Sequence, residues 1–220
     1  MENVVIRATV NSGSLFYNYK GTYSVVLLAV VDAQYCFRVV DVGSYGRTSD
    51  GGALANSTFG QSFRNGTLGL PQDALLPGAE HLGPQPHVFV ANEAFPLCRD
   101  LMRPFPGPGL SGSQRIFNYR LSQARLIVTA QWRMYRGVIE VSPANVDACV
   151  KATCVLHNFH RRSTSTTRMP IPSAGDGEAS GLQEVARVGS NNPTREAIRV
   201  QEKYMTYFST AGTVPWQPVV

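Results

Sequence analysis

The sequence predicts an α/β fold in which strands open the chain and helices follow them. A β-branched run from Tyr23 to Val31 is typical of a buried strand. Apolar residues recur at helical spacing in Ser113–Tyr135 and again in Asn145–His160. Hydrophobic residues make up 43% of the 220 residues, which is usual for a globular protein and too high for a wholly disordered one.

The first third of the chain is predicted to be an antiparallel meander. Val4–Ala8 is expected to be the end of a strand, and Tyr23–Val31 the central strand of a sheet. Phe37–Val42 follows after the short Asp32–Tyr35 segment, and this spacing favours a hairpin.

The middle of the chain predicts shorter elements. Ala53–Phe63 is expected to be one short helix, although its apolar positions fit helical spacing only loosely. Residues 65–87 form a long polar loop with several prolines. Val88–Val90 is wholly apolar and is therefore expected to be a strand deep in a sheet.

Composition divides the chain into three parts. Residues 1–160 are expected to form one domain. Residues 161–193 are rich in Ser, Thr, Pro and Gly, lack periodicity and are expected to be a flexible linker. Residues 194–220 are expected to form a short amphipathic helix, capped by Thr194 or Asn192, and a tail.

Charge and cysteine content place weak limits on function. The net charge is +5, which favours an acidic partner such as nucleic acid but does not identify one. The four cysteines form no CxxC pair, so neither a zinc ribbon nor a disulfide framework is indicated. The longest apolar run, Val25–Val31, is far too short to span a membrane.

Short segments that match a known family in the same order extend from about Val4 to Arg162. They are Asn18–Gly21, Ser24–Ala33, Asp41–Ser44, Ser49–Gly52, Ala94–Leu97, Leu101–Pro104, Phe117–Ser122 and Cys154–Asn158. On these segments the chain resembles the Harbinger-type transposase-derived endonucleases of the DDE superfamily. Tyr207–Phe208 and Val214–Gln217 also look like the C-terminal tails of vertebrate domesticated members.

The resemblance implies an RNase H-like mixed sheet flanked by helices, and cutting of DNA by a triad of acids. In such a site two Mg²⁺ or Mn²⁺ ions activate a water and stabilise the leaving oxygen, and clustered carboxylates hold them. The resemblance also implies DNA as a partner, a Myb-like DNA-binding protein as a second partner, and a nuclear or cytoplasmic location. It implies no membrane association.

The chain departs from the family at all three acids. The first acid belongs to a strand that precedes the match at Val4, so it has no counterpart here and the first strand is expected to be largely missing. The second acid aligns with Asn92 and the third with Thr129, at a separation that fits the family's register. The missing first strand predicts a truncated copy of the domain, and the degenerate positions predict that this copy has lost catalysis.

Neighbouring side chains offer substitute metal ligands, each with a plainer role. Asp50 follows a Gly-rich segment and Asp32 ends a strand, so either could bind a metal or cap a turn. Glu93 is next to Asn92, but successive strand residues face opposite ways. A further set of side chains on one predicted helix could bind zinc or could have a packing role only. Its members are Cys154, His157 and His160.

Three functions are therefore considered. The first is an inactive nuclease domain of transposon origin, and the second is an active nuclease that uses substitute ligands. The third is a non-enzymatic protein that binds nucleic acid or protein. Loss of one carboxylate from a two-metal site usually costs orders of magnitude in rate, so the loss of three favours the first and third.

Overall fold

The computed structural model describes residues 1–8, 13–125, 137–164 and 192–218. In these ranges, five α-helices, one 3-10 helix and five strands form a mixed α/β fold with two small sheets. The chain divides into two compact units, Met1–Thr48 with Trp132–Gly189 and Ser49–Gln131 with Ser190–Val220. No helix in the described ranges combines the length and the apolar character needed to cross a bilayer.

The first unit contains a three-stranded antiparallel sheet in the order β1–β2–β3. Its strands are β1 (Glu2–Val5), β2 (Ser24–Val31) and β3 (Phe37–Tyr45). The central position predicted for β2 and the hairpin to β3 are confirmed. The residues of β2 from Ser24 to Leu28 are all buried, as the β-branched run predicts.

The turn between β2 and β3 is organised by Asp32. Its Oδ1 accepts hydrogen bonds from the backbone N–H groups of Gln34 and Cys36, both at 2.9 Å. Its Oδ2 lies 2.6 Å from Nε of Arg38. Tyr35 has a φ of 62°, which is uncommon for a residue other than glycine. The hydrogen bonds of Asp32 to residues on both sides of Tyr35 stabilise this conformation.

Helix α4 (Pro143–Thr164) covers the sheet of the first unit through contacts with β3. Val146, Val150 and Cys154 are buried along one side of this helix. Near its C-terminal end, Asn158 hydrogen-bonds with the backbone of Phe37, and His157 with the backbone of Tyr35. The second predicted helix, Asn145–His160, is thus confirmed and lies within a longer one.

The second unit begins with two short helices, where the sequence predicted one. They are α1 (Asp50–Asn56) and α2 (Thr58–Arg64). Ser57 separates them: its Oγ accepts from Gly60 N at 2.9 Å, so it caps α2, and it donates to Leu54 O at 2.8 Å. The prediction of a continuous helix over Ala53–Phe63 was wrong because this serine satisfies backbone groups on both sides.

The short strand β4 (Phe89–Val90) pairs in parallel with β5 (Leu101–Met102), and these four residues form the second sheet. The 65–87 loop that precedes them contains only the 3-10 helix Glu80–Leu82. Val90 is 38% exposed, so the expectation that Val88–Val90 lies deep in a sheet was wrong. An apolar strand predicts pairing, but a two-stranded sheet covers its residues on fewer sides than a large parallel sheet does.

The core of the second unit combines α3 (Gly112–Arg125) with α5 (Arg195–Ser209). Its buried members are Leu97, Met102, Phe117, Leu121, Ala197 and Val200. Thr194 caps α5, as one of the two predicted residues, with its side chain accepting from Ala197 N. The predicted helix Ser113–Tyr135 is confirmed as far as Arg125, and the rest of it and most of the predicted 161–193 linker lie outside the described residues.

Candidate functional site around Asn92 and Asp50

Asn92 lies just beyond the end of β4, in the second unit. The parallel pairing of β4 and β5 continues for one residue, because Ala91 N donates to Met102 O at 2.9 Å. The chain then turns: Phe95 N donates to the backbone oxygen of Asn92 at 3.3 Å. Asn92 is therefore half-buried at a strand end that the two-stranded ladder holds in place.

The side-chain amide of Asn92 makes two hydrogen bonds that fix its orientation. Oδ1 accepts from Ala94 N at 3.1 Å, which closes an Asx turn. Because a backbone N–H can only donate, the oxygen of the amide must face it and the nitrogen must face the other way. Nδ2 donates to Oδ2 of Asp50 at 3.0 Å.

Asp50 reaches Asn92 because two short helices place it there. Ser49 is the N-cap of α1 and accepts from Gly52 N at 3.2 Å, so Asp50 begins the first turn. A carboxylate in that position is stabilised by the free N–H groups of the helix start. The rings of Phe59 on α2 and Phe89 on β4 lie 5.2 Å apart, edge to face, and join the helix pair to the strand that precedes Asn92.

Arg103 holds the turn that carries Asn92. Its Nη1 donates to the backbone oxygens of Glu93 at 3.3 Å and Phe95 at 3.2 Å. Glu93 was expected to face away from Asn92 through strand alternation, but it belongs to the turn and not to the strand, and it is exposed. Strand alternation is therefore not the reason that it points to solvent.

The donor set around Asn92 fits a divalent cation poorly. A hard cation needs several oxygen ligands, and Asp50 supplies one carboxylate. The amide oxygen of Asn92 is used by Ala94, and its nitrogen occupies the side that faces the carboxylate. In the described ranges, no group of three or more His, Cys, Asp or Glu side chains could hold a metal ion.

The other candidate residues lie elsewhere. Asp32 is in the first unit, where its carboxylate bonds to the turn and to Arg38. Thr129 lies outside the described residues. The structure thus brings Asn92 and Asp50 together in the second unit, whereas Asp32 belongs to the first unit.

His157 has a packing role. It is 1% exposed, its Nε2 lies 2.6 Å from Tyr35 O, and its ring lies 5.1 Å from that of Phe37. The carbonyl requires a donor, so Nε2 carries a hydrogen. Burial lowers the pKa of His157 below its ordinary value of 6.5, and the nearby charges of Arg161 and His160 act in the same direction, whereas the bond to Tyr35 acts against it.

Sequence reasoning missed the residues that connect the site to its surroundings. Arg103 stands in a matched segment, but nothing in its neighbourhood reveals which carbonyls it contacts. Arg99 was also missed: it lies 2.6 Å from Asp73 and Asp100 and 2.9 Å from Glu196 on α5. Asp73 and Glu196 lie in distant parts of the chain, so these contacts of Arg99 leave no local pattern in a sequence.

A sequence model of the family described as DDE superfamily endonuclease matches residues 3–158, which is most of the chain. The match includes Asp50, Asn92 and the α4 residues through Asn158. No curated protein matches the chain, and no solved structure matches it.

Proposed function

The chain belongs to the DDE superfamily endonuclease family, and from this membership we propose that it is a Harbinger-type, transposase-derived member that no longer cuts DNA. The family is generally dependent on divalent metal ions. In this proposal the domain derives from an RNase H-like sheet, and its degenerate catalytic positions are Asn92 and Thr129.

The hydrogen bond from Asn92 Nδ2 to Asp50 Oδ2 is the observation that carries the proposal. Two carboxylates at this separation repel each other and need a cation or a proton between them. An amide removes that need, because it offers a hydrogen to the one carboxylate that remains. The contact is then stable without metal, and a cation that approached Asp50 would meet the positive end of an amide dipole.

The remaining family chemistry is proposed in reduced form. DNA is the proposed partner, attracted through the net charge of +5 without base-specific reading. Such binding weakens steeply as salt rises, because it depends on the release of counterions from phosphates. Contact with a Myb-like DNA-binding protein and a nuclear or cytoplasmic location are proposed on the same family basis.

Plasmid nicking tests the loss of cleavage. The full chain is incubated with supercoiled plasmid and Mg²⁺ or Mn²⁺, beside a mock preparation from cells without the gene. We expect no nicking above the mock. Nicking that Asp50→Ala abolishes, and that Glu202→Ala at an exposed carboxylate of α5 leaves intact, would contradict the proposal.

A further inference from the structure

The outer face of α4 exposes large apolar side chains. Phe159 is 70% exposed, Val155 67% and Leu156 60%. Single exposed apolar residues are common, but these three are neighbours on one helix, and contiguous apolar groups occur at protein–protein contacts. A shallow groove of about 480 Å³ lies along this group. It is lined by Val155, Asn158, Phe159, Arg162 and Ser163.

Helix α4 has two apolar faces. The inner one, with Val146, Val150, Cys154 and His157, is buried in the first unit. The outer one consists of Ala148, Ala152, Val155 and Phe159, all exposed. Steps of four, three and four residues follow the a and d positions of a heptad, which is the pattern of a helix that pairs with another helix.

The outer face is complementary to itself when two copies run antiparallel. In such a pair, a positions of one helix face d positions of the other. Phe159 then lies on Ala148 of the second copy, and Val155 lies on Ala152. Each large side chain would meet a small one, which is the arrangement that allows close packing at both ends of the contact.

Charges also favour the antiparallel register. In this register Arg162 would lie opposite the uncharged Asn145 at each end of the face. A parallel pair would set Arg162 against Arg162 at a d position, and like charges at facing positions are destabilising. It would also stack Phe159 on Phe159 and leave the two Ala148 residues without a large partner.

We propose that a second copy of this chain binds the outer face of α4, so that two α4 helices pack antiparallel about a twofold axis. The interface is isologous, because each residue of the pair Phe159 and Ala148 contacts the other across the axis. About three turns of helix give a small interface, which is the class of weak, reversible complexes. This inference does not depend on whether the chain cuts DNA.

Sedimentation equilibrium of the full chain over a concentration series tests the proposal. The average mass should rise from the monomer value of 24.0 kDa toward twice that value. Phe159→Ala should raise the dissociation constant about tenfold or more, as loss of a buried aromatic contact does. Ala148→Phe should weaken the dimer too, because two large residues then meet.

The exchange of the two residues is the sharpest variant. Ala148→Phe with Phe159→Ala restores a large-over-small contact at both ends, so the dimer should return toward the strength of the unaltered protein. Val138→Ala, at a 56% exposed residue outside α4, serves as the control and should change nothing. Circular dichroism confirms that each variant is folded. A monomer at every concentration, a dimer indifferent to Phe159→Ala, or an exchange variant no better than the single variants overturns the proposal.

Discussion

Asn158 on α4 hydrogen-bonds with both backbone polar atoms of Phe37, the first residue of β3. Its Oδ1 accepts from Phe37 N at 2.7 Å, and its Nδ2 donates to Phe37 O at 2.9 Å. In the described sheet β3 is an edge strand, so the side of Phe37 that faces away from β2 has no partner strand to satisfy these atoms. One side chain thus completes the strand and fixes α4 on it.

Asn158→Ala should lower the free energy of unfolding by about 2 kcal/mol. The substitution leaves a donor and an acceptor of Phe37 without partners in a partly buried place, and each unsatisfied group costs roughly 1–3 kcal/mol. Urea unfolding followed by circular dichroism measures the change. Asn56→Ala, at an exposed residue of α1, is the control and should stay within about 0.5 kcal/mol. Equal effects of the two variants would show that the Phe37 contact contributes nothing.

Acid should destabilise the protein through His157. Because the folded protein lowers the pKa of this histidine below 6.5, the unfolded chain takes up the proton first as pH falls. The stabilisation is complete above about pH 6.5 and is lost as pH drops through the folded pKa, at most by about 1.4 kcal/mol for each pH unit.

The pH dependence of urea unfolding checks this expectation between about pH 5 and 8. His157→Gln should flatten the acid side of the curve, whereas His87→Gln, at an exposed histidine, should leave it as in the unaltered protein. A His157→Gln curve with the original slope would assign the acid sensitivity to other groups.

Gly60→Ala should destabilise the second unit while Gly51→Ala does not. A Cβ at Gly60 would overlap the carbonyl oxygen of Leu54, whereas a Cβ at Gly51 meets nothing within 4 Å. We expect a loss of about 1–3 kcal/mol for the first change, as for other overpacked sites. For the second we expect a gain of about 0.5–1 kcal/mol, from the lower backbone entropy of alanine in a helix. Thermal and urea unfolding of the pair measure the difference, and the reverse order would contradict the packing described for α1 and α2.

Much of the first unit could be predicted from the sequence. The β-branched run of β2 and the Asp32 turn are local signals, and the structure confirms the hairpin that they predict. The break between α1 and α2 could not be predicted in the same way. It depends on Ser57 bonding with Leu54 O and Gly60 N, and these two contacts cannot be read from a single serine in the sequence.

The site was only half predictable. The family resemblance marked Asn92 and the Gly-rich segment marked Asp50, but no spacing rule places two side chains so far apart in the chain within 3.0 Å. That contact depends on Phe59 and Phe89, which join α2 to β4, and on Arg103, which holds the turn. Each is a tertiary contact, and tertiary contacts leave no periodic trace in a sequence.

Asn92→Asp should create a need for cations. The new carboxylate would lie about 3 Å from Asp50, and two like charges at that distance cost free energy unless a cation or a proton lies between them. The melting temperature in EDTA should therefore fall below that of the unaltered protein and recover with Mg²⁺ or Mn²⁺. Glu93→Gln, at the exposed neighbour, is the control and should show neither change. An Asn92→Asp protein as stable as the original in EDTA would contradict the account.

Titration of the unaltered protein with Mn²⁺, followed by the loss of the free-ion electron paramagnetic resonance signal, tests the central claim most directly. The account predicts no saturable site that depends on Asp50, so the unaltered protein and Asp50→Ala should deplete the signal equally. Two ions bound tightly by the unaltered protein and released in Asp50→Ala would contradict it.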